Sequence, residues 1–245
     1  MRYTNKSMIA LLAGSLFVHS AHATTGYFSE ANLTLEIMSF TDQTGVIYDI
    51  DNQPADILIS AFDNSTDDDF SVSSTGDAYS DGVSSPYSDS SIIDLGTQAS
   101  GYAGDAYAYA QSDATASAYW TFENTALQNY SVNMVLNYSY SGEVGTDTPA
   151  NEQNSKASID ISLYGDYSFY QELDLTMVTE LGQGLFSGSS TMAFSFLLEG
   201  SETENIYASL FSYGESENVS AVPLPASIFF MAPTLIALIT SRRRA

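Results

Sequence analysis

Apolar and polar residues alternate with a period of two along much of the chain. Leu33, Leu35 and Ile37 alternate with polar residues, and the stretches 132–140, 157–163 and 192–198 repeat the pattern. Shorter apolar runs lie at 46–50, 57–62 and 206–213. This alternation is typical of strands with one buried face, and no stretch of the body has a helical period. The pattern predicts an all-β fold, a single antiparallel β-sandwich that is jelly-roll-like.

The stretch from Gly101 to Phe122 shows the alternation most clearly. Alanines occupy even positions, Trp120 and Phe122 continue that series, and tyrosines occupy odd positions. Alanine favours helices, but the glycines and the many Tyr, Ser and Thr residues favour a strand. We therefore predict a strand with a small-residue face that ends in Trp120 and an opposite face that carries Tyr107, Tyr109 and Tyr119.

Two polar stretches separate the predicted strands. Ser, Asp, Gly and Asn dominate Asp63 to Ser91 and Gly142 to Ser155. Because neither has enough apolar residues to build a core, we expect long surface loops there. The last predicted strand ends at Tyr213, so we predict an ectodomain that covers residues 24–213. We predict that residues 214–221 form a linker.

The N-terminus has the organisation of a secretory signal peptide. Arg2 and Lys6 precede an apolar stretch from Met8 to Val18, and small residues at Ala21 and Ala23 form a cleavage pattern. We expect cleavage after Ala23, which makes residues 1–23 the signal peptide and exports the rest.

The C-terminus combines a proline motif, an apolar run and a basic cluster. The apolar run extends from Ile228 to Thr240, and the uncharged stretch from Val222 to Ser241 has about the 20 residues that span a bilayer core. The motif is Val222-Pro223-Leu224-Pro225-Ala226, and the basic cluster is Arg242-Arg243-Arg244. Arginines favour the cytoplasmic side, so both ends of the chain predict an exported body. The alternative interpretation of this tail is a single-pass membrane anchor that is not cleaved.

The tripartite tail, residues 222–245, resembles the PEP-CTERM sorting signal of Gram-negative bacteria. The Pro-Glu-Pro core of that family corresponds to Pro223-Leu224-Pro225, with leucine in place of glutamate. The resemblance covers only about the last tenth of the chain. It implies an inner-membrane intermediate, processing by an exosortase, and release to the cell surface or the extracellular medium, often in bacteria that make exopolysaccharide.

The composition of the body excludes several kinds of chemistry. All 30 acidic residues lie between Glu30 and Glu217, and Lys156 is the only basic residue outside the two ends. Both histidines lie in the leader and the chain has no cysteine. Imidazole-based triads, thiol nucleophiles and thiolate or imidazole metal sites are therefore excluded. The strong negative charge also disfavours nucleic acid as a partner.

The acidic loops contain candidates for calcium binding. Carboxylate oxygens are the ligands that hard cations prefer, and the candidate ligands are Asp63, Asp67, Asp69, Asp77 and Asp81. The stretch 77–82 begins like an EF-hand loop, but Tyr79 and Ser88 occupy positions that need oxygen ligands, and Ser88 cannot bind in a bidentate way. An EF-hand is excluded, and we predict no cofactor apart from this calcium alternative. The simpler interpretation of the acidity is a well-solvated surface.

Three functions remain open. The first is a non-catalytic surface or matrix protein that associates with exopolysaccharide. The second is a carbohydrate-binding module, whose aromatic platform would combine Trp120 with Tyr107, Tyr109 or Tyr119, or would use Tyr164, Tyr167 and Tyr170. The third is a secreted glycan-active enzyme, which needs only two carboxylates. We expect the first of these and no enzymatic activity, and we expect Trp120 to belong to the core.

Overall fold

The computed structural model describes residues 25–64, 70–104, 107–146, 153–166, 169, 172–181 and 183–218. These residues form twelve strands and one 3-10 turn, Ile50–Asn52, which confirms the predicted all-β class. The strands are β1 (Thr25–Asp42), β2 (Ile47–Asp49), β3 (Ile57–Asp63), β4 (Phe70–Thr75), β5 (Ala78–Ser88), β6 (Ile92–Ala103), β7 (Ala108–Asn124), β8 (Tyr130–Thr146), β9 (Gln153–Gly165), β10 (Leu173–Glu180), β11 (Phe186–Leu198) and β12 (Thr203–Asn218).

The strands form two antiparallel sheets that pack face to face. The first sheet has the order β11-β8-β1-β6-β5, and β2 also pairs with β1. The second sheet has the order β10-β9-β12-β7-β3, and β4 pairs with β7 beyond the end of β3. The long central strands β1 and β12 therefore each hydrogen-bond to a strand on both sides, whereas β11, β10 and β5 lie at sheet edges.

The core lies between the sheets and is filled by alternate side chains of the long strands. Leu33 and Leu35 of β1 are completely buried, as are Ile159 and Ile161 of β9. The aromatic rings of this core meet edge to face, for example Phe122 and Phe196 with their centroids 5.4 Å apart. Each such large apolar side chain contributes about 1.5–3 kcal/mol when it leaves water, so the alternation read from the sequence supplies the main stabilisation.

One end of the interior is built from small residues and hydroxyl groups. Tyr27 is buried there, and its hydroxyl forms a hydrogen bond of 3.0 Å with Ser112 of the opposite sheet. Thr97 and Ser212 form another bond between the sheets, at 2.8 Å. Because buried hydroxyls need partners, these pairs allow a polar sequence to form the interior at this end.

Two predicted loops and the predicted linker are wrong, because the structure has strands in all three segments. The predicted loop Asp63 to Ser91 contains strands β4 and β5, and the predicted loop Gly142 to Ser155 contains the end of β8 and the start of β9. The predicted linker 214–221 is strand as far as Asn218, the end of β12. In edge strands and in the hydroxyl-lined end, backbone pairing requires little apolar surface, so their sequences lack the expected pattern.

Both ends of the chain lie outside the described residues. This applies to the cleavage residues Ala21 and Ala23 and to the sorting signal, which comprises Val222, Pro223, Leu224, Pro225, Ala226, Arg242, Arg243 and Arg244. Within the described ranges, no helix has the length and apolar character needed to cross a membrane.

Candidate functional site

Four aromatic rings form a continuous row across the outer surface of the second sheet. We call them the aromatic row: Phe62 of β3, Tyr119 of β7, Tyr207 of β12 and Tyr164 of β9. Each member is directly opposite the next in the strand register. The ring centroids are 4.8 Å apart for Phe62 and Tyr119, 5.6 Å for Tyr119 and Tyr207, and 5.1 Å for Tyr207 and Tyr164.

The aromatic row forms because side chains alternate between the two faces of each strand and because the strand order aligns the outward rings. On β7, Trp120 points into the core, so its neighbour Tyr119 must point outward. The pairing of β3, β7, β12 and β9 then brings one outward ring from each strand to the same level. Cross-strand aromatic pairs stabilise a sheet by about 0.2–1 kcal/mol each, so part of the role of the row is structural.

The rings are offset and only partly covered by one another. Adjacent planes are inclined by 15–29°, and the centroid distances exceed the roughly 3.5–4 Å of full face-to-face contact. As a result, Phe62 and Tyr164 are each 48% exposed and Tyr119 is 36% exposed. Each ring therefore keeps part of a face open to solvent. An exposed aromatic strip of this kind is a common feature of binding surfaces.

Hydrogen-bonding groups border the aromatic row on one side. Thr121 donates from Oγ1 to Oδ1 of Asn205 at 2.7 Å, and Asn205 donates from Nδ2 to Oδ2 of Asp166 at 2.7 Å. Thr121 and Asn205 lie two residues along the strands from Tyr119 and Tyr207, on the same face of the sheet. The polar groups are thus fixed relative to one another before any ligand binds.

Serines border the row on its other side. Ser117, Ser209 and Ser162 lie opposite one another on β7, β12 and β9. Ser117, Ser209, Asp63 and Asn64 together with the aromatic row line a shallow groove of about 310 Å³. A surface with aromatic faces in the middle and hydroxyl, amide and carboxylate groups along both sides can stack against an apolar face and hydrogen-bond to polar groups around it.

The end of the groove beside Phe62 is held by side chains that bond to the backbone. Asn64 Oδ1 accepts from the N–H of Ser117 at 2.9 Å, and the N–H of Asn64 donates to the Ser117 carbonyl at 3.1 Å. Oδ2 of Asp63 accepts from the N–H of Ser88 at 2.8 Å and from its hydroxyl at 3.2 Å. These bonds continue the pairing beyond the end of β3 and fix the position of Phe62.

The central hydroxyl of the groove stays protonated near neutral pH. Burial of Tyr207, together with the neighbouring Asp166 carboxylate, raises the pKa of the Tyr207 phenol above its ordinary value. The hydroxyl therefore stays protonated further into the alkaline range than an ordinary tyrosine, and in that form it can both donate and accept a hydrogen bond.

The predicted platform around Trp120 is wrong, and the prediction that Trp120 belongs to the core is confirmed. The indole is completely buried, and Nε1 donates to the backbone carbonyl of Asp89 at 2.6 Å. Tyr107 is 71% exposed, but it lies in the turn before β7 and has a left-handed φ of 66°. Tyr109 is half-buried and donates to Oε1 of Gln111.

Of the predicted platform residues, Tyr119 and Tyr164 belong to the aromatic row, whereas Tyr167 and Tyr170 lie outside the described residues. Phe62 and Tyr207 were not among the predicted platform residues. Both lie in the short apolar runs 57–62 and 206–213, and the strand register that aligns them with Tyr119 and Tyr164 could not be predicted from the sequence.

The described acidic residues do not assemble into a metal site. Asp67 and Asp69 lie outside the described residues. Oδ2 of Asp63 accepts a hydrogen bond from the N–H of Ser88, and Asp81 accepts a hydrogen bond from Tyr79. Asp77 is exposed, and its carbonyl accepts from the N–H of Gly104 at 2.7 Å. Among the residues that the structure describes, no group of three or more acidic residues or histidines is placed to bind a metal ion.

Comparison with family models, with curated proteins and with solved structures found no match to this chain.

Proposed function

We propose that this chain is an exported, non-catalytic surface or matrix protein that binds polysaccharide along the aromatic row. The observation that carries this proposal is the alignment of four aromatic rings, three exposed and one half-buried, from four neighbouring strands between two lines of hydrogen-bonding side chains. Three strand spacings of about 4.8 Å give the row a length of roughly 15 Å, which suits a chain of sugars better than a single sugar.

Sugars fit the chemistry of this groove. A pyranose ring has apolar C–H faces and a rim of hydroxyl groups, so it can stack on an aromatic ring while its hydroxyls bond to groups at the side. Tyr119 and Tyr207 supply the stacking surface, and Asn205, Thr121 and Ser209 supply the polar groups.

The charge of the protein favours a neutral glycan. The whole chain carries a formal charge of −24, and Lys156 is the one basic residue between its two basic ends. A polyanionic glycan would be repelled at low ionic strength, whereas a neutral polysaccharide would not. Calcium is not required for stacking on the row.

The two ends of the sequence support export. A leader that ends at Ala23 and a tail that resembles a PEP-CTERM signal imply an inner-membrane intermediate, processing by an exosortase-type enzyme, and release to the cell surface or medium. The body without Arg, His or Cys supports a non-catalytic role. The alternative, a carboxylate-dependent glycan-active enzyme, would need a pair of carboxylates about 5–10 Å apart at the sugar.

We also infer that the strand order is that of a jelly roll. Counted from β6 to β12 and then to β1, eight strands form the four-stranded orders β6-β1-β8-β11 and β7-β12-β9-β10. The first strand of this chain then takes the place of the last strand of a jelly roll, and β2 to β5 are additions at the edges.

Two experiments test the proposal. In the first, the full chain is applied to an array of neutral and acidic polysaccharides, with and without calcium. We expect retention on neutral glycans under both conditions, and no binding on any of them would overturn the binding function.

The second experiment tests sorting. The chain is expressed in a host with an exosortase, and the C-terminus of the product is determined by mass spectrometry. We expect loss of Arg242 to Arg244. A product that keeps these arginines at the inner membrane would contradict processing.

A further inference from the structure

Among the described strands, β11 forms a long sheet edge that has neither charged residues nor proline. It is the terminal strand of the first sheet, pairs with β8 over its whole length from Phe186 to Leu198, and has no described strand on its other side. Its 13 residues include no charged residue and no proline. An edge of this kind presents unpaired backbone groups to any strand that approaches.

The other described edges have the usual protective features. β5 contains Asp81 and Pro86, and β10 has only 8 residues and contains Asp174 and Glu180. β3 and β4 are short, with 7 and 6 residues. Natural sheets use short strands, prolines and charges to prevent edge-to-edge pairing. In a chain with 30 acidic residues, the lack of charge along β11 is therefore the exception that needs an explanation.

The side chains of β11 are distributed so that parts of the strand are complementary to each other in an antiparallel pair. After Phe186, its first half contains the small residues Ser187 to Thr191, and its second half contains Phe194, Phe196 and two leucines. In an antiparallel pair of two β11 strands centred on Met192, Ser190 lies opposite Phe194 of the second copy and Gly188 opposite its Phe196. At these two pairs a small residue meets a large one, which favours packing between opposite side chains.

We propose that β11 pairs with β11 of a second copy of this chain, antiparallel and related by a two-fold axis through Met192. The two first sheets then join into one continuous sheet, an arrangement in which both copies use the same surface. Self-pairing places uncharged strand against uncharged strand, whereas most other surfaces of this acidic chain repel one another. β10, which contacts β11, carries the exposed Asp174 and Glu180, and the negative charge of the chain opposes the approach, so salt strengthens the association.

The proposal does not depend on glycan binding, because β11 lies in the first sheet and the aromatic row in the second. A failure of one therefore leaves the other unaffected. Self-association of a surface protein would add a second contact to those with polysaccharide.

Cysteine cross-linking tests the pairing and its register. The chain has no native cysteine, and the exposed Thr191 of one copy would lie opposite the exposed Ala193 of the other. Opposite residues have Cα atoms about 4.5–5.5 Å apart, within the range for a disulfide, whereas diagonal neighbours lie about 7–8 Å apart. We expect an equimolar mixture of the full-chain variants Thr191→Cys and Ala193→Cys to form a disulfide-linked dimer under mild oxidation, at least several-fold more than either variant alone.

Equal cross-linking in the mixture and in the separate variants would overturn this pairing, as would its absence from all three samples. Association through the hydrophobic tail would not produce a signal restricted to the mixture.

A charge variant provides a second, independent test. Ser189 and Ser195 are exposed and would lie opposite each other across the two-fold axis, so the double variant Ser189→Lys/Ser195→Lys brings four lysines together in the dimer. By sedimentation, we expect its dimer fraction to fall at least several-fold relative to wild type.

The control Ser73→Lys/Ser90→Lys makes the same change of charge at exposed serines near the opposite sheet edges. We expect it to leave the dimer fraction unchanged or to raise it by lowering the negative charge. A dimer that tolerates the β11 lysines as well as it tolerates the control would overturn the proposal.

Discussion

The backbone of Gly214 lies directly against the ring of Tyr27. A methyl group built on Gly214 would lie 1.8 Å from Cδ2 of Tyr27 and 2.3 Å from its Cε2, so only glycine fits at this position. Tyr27 is held from the other side by its hydrogen bond to Ser112. This contact joins β1 to β12 across the sandwich, at a residue that the sequence pattern places in a linker.

The first prediction follows from this contact. Gly214→Ala forces the buried Tyr27 ring or the backbone to move, so we expect it to lower the free energy of unfolding by about 1–3 kcal/mol or more, the usual cost of overpacking. Urea denaturation followed by circular dichroism measures this change.

Gly145→Ala on β8 is the matched control, because nothing lies within 4 Å of its added methyl group. We expect the control to change stability by no more than about 0.5 kcal/mol. Equal stability of the two variants would contradict the packing described here.

The sequence predicted the fold class and the orientation of individual side chains well. The alternation in β7 placed Ala116, Ala118 and Trp120 in the core and Tyr119 outside, and all four lie as expected. Strands β4 and β5 were missed, because an edge strand in a Ser-rich segment has no apolar face. The aromatic row could not be predicted, because Phe62 and Tyr207 are far apart in sequence and only the strand order and register bring them into line.

The second prediction concerns the single tryptophan of the chain. Trp120 is completely buried and bonded to the Asp89 carbonyl, so its emission should be blue-shifted and resistant to acrylamide. Adding a polysaccharide that binds to the row should leave this emission unchanged, because the indole points into the core. Unfolding in urea provides the positive control, since it should shift the emission to the red. A spectral shift on glycan binding would contradict the placement of the site on the outer face.

The third prediction concerns pH. Burial alone would raise the pKa of Asp89, but hydrogen bonds from the Ser91 hydroxyl and from the N–H groups of Ser91 and Ile92, with a smaller one from Tyr87, lower it below its ordinary value. A carboxylate with a lowered native pKa stabilises the fold above its unfolded pKa of about 4, and that stability is lost as the pH falls through the native value.

We therefore expect Asp89→Asn to be less stable than wild type at pH 7 by about 1 kcal/mol, a typical net contribution of a hydrogen bond. The difference should shrink as the pH is lowered below about 4. Urea denaturation in 1 M NaCl isolates this effect, because a Debye length of about 3 Å screens the general repulsion among the acidic residues. A difference that stays constant from pH 7 to pH 2.5 would contradict the assigned role of Asp89.

The measurement that tests the central claim most directly is the affinity of the protein for exopolysaccharide prepared from its source cells. Titration calorimetry compares the wild type with Tyr119→Ser/Tyr207→Ser, which removes the two central rings of the aromatic row. The control Tyr79→Ser/Tyr102→Ser removes another exposed, stacked tyrosine pair, on β5 and β6 of the first sheet.

Loss of two stacking rings at about 0.5–1.5 kcal/mol each should weaken binding roughly 5- to 150-fold. We expect that loss for the row variant and wild-type affinity for the control. Equal affinity of all three proteins, or a loss confined to the control, would contradict binding along the aromatic row.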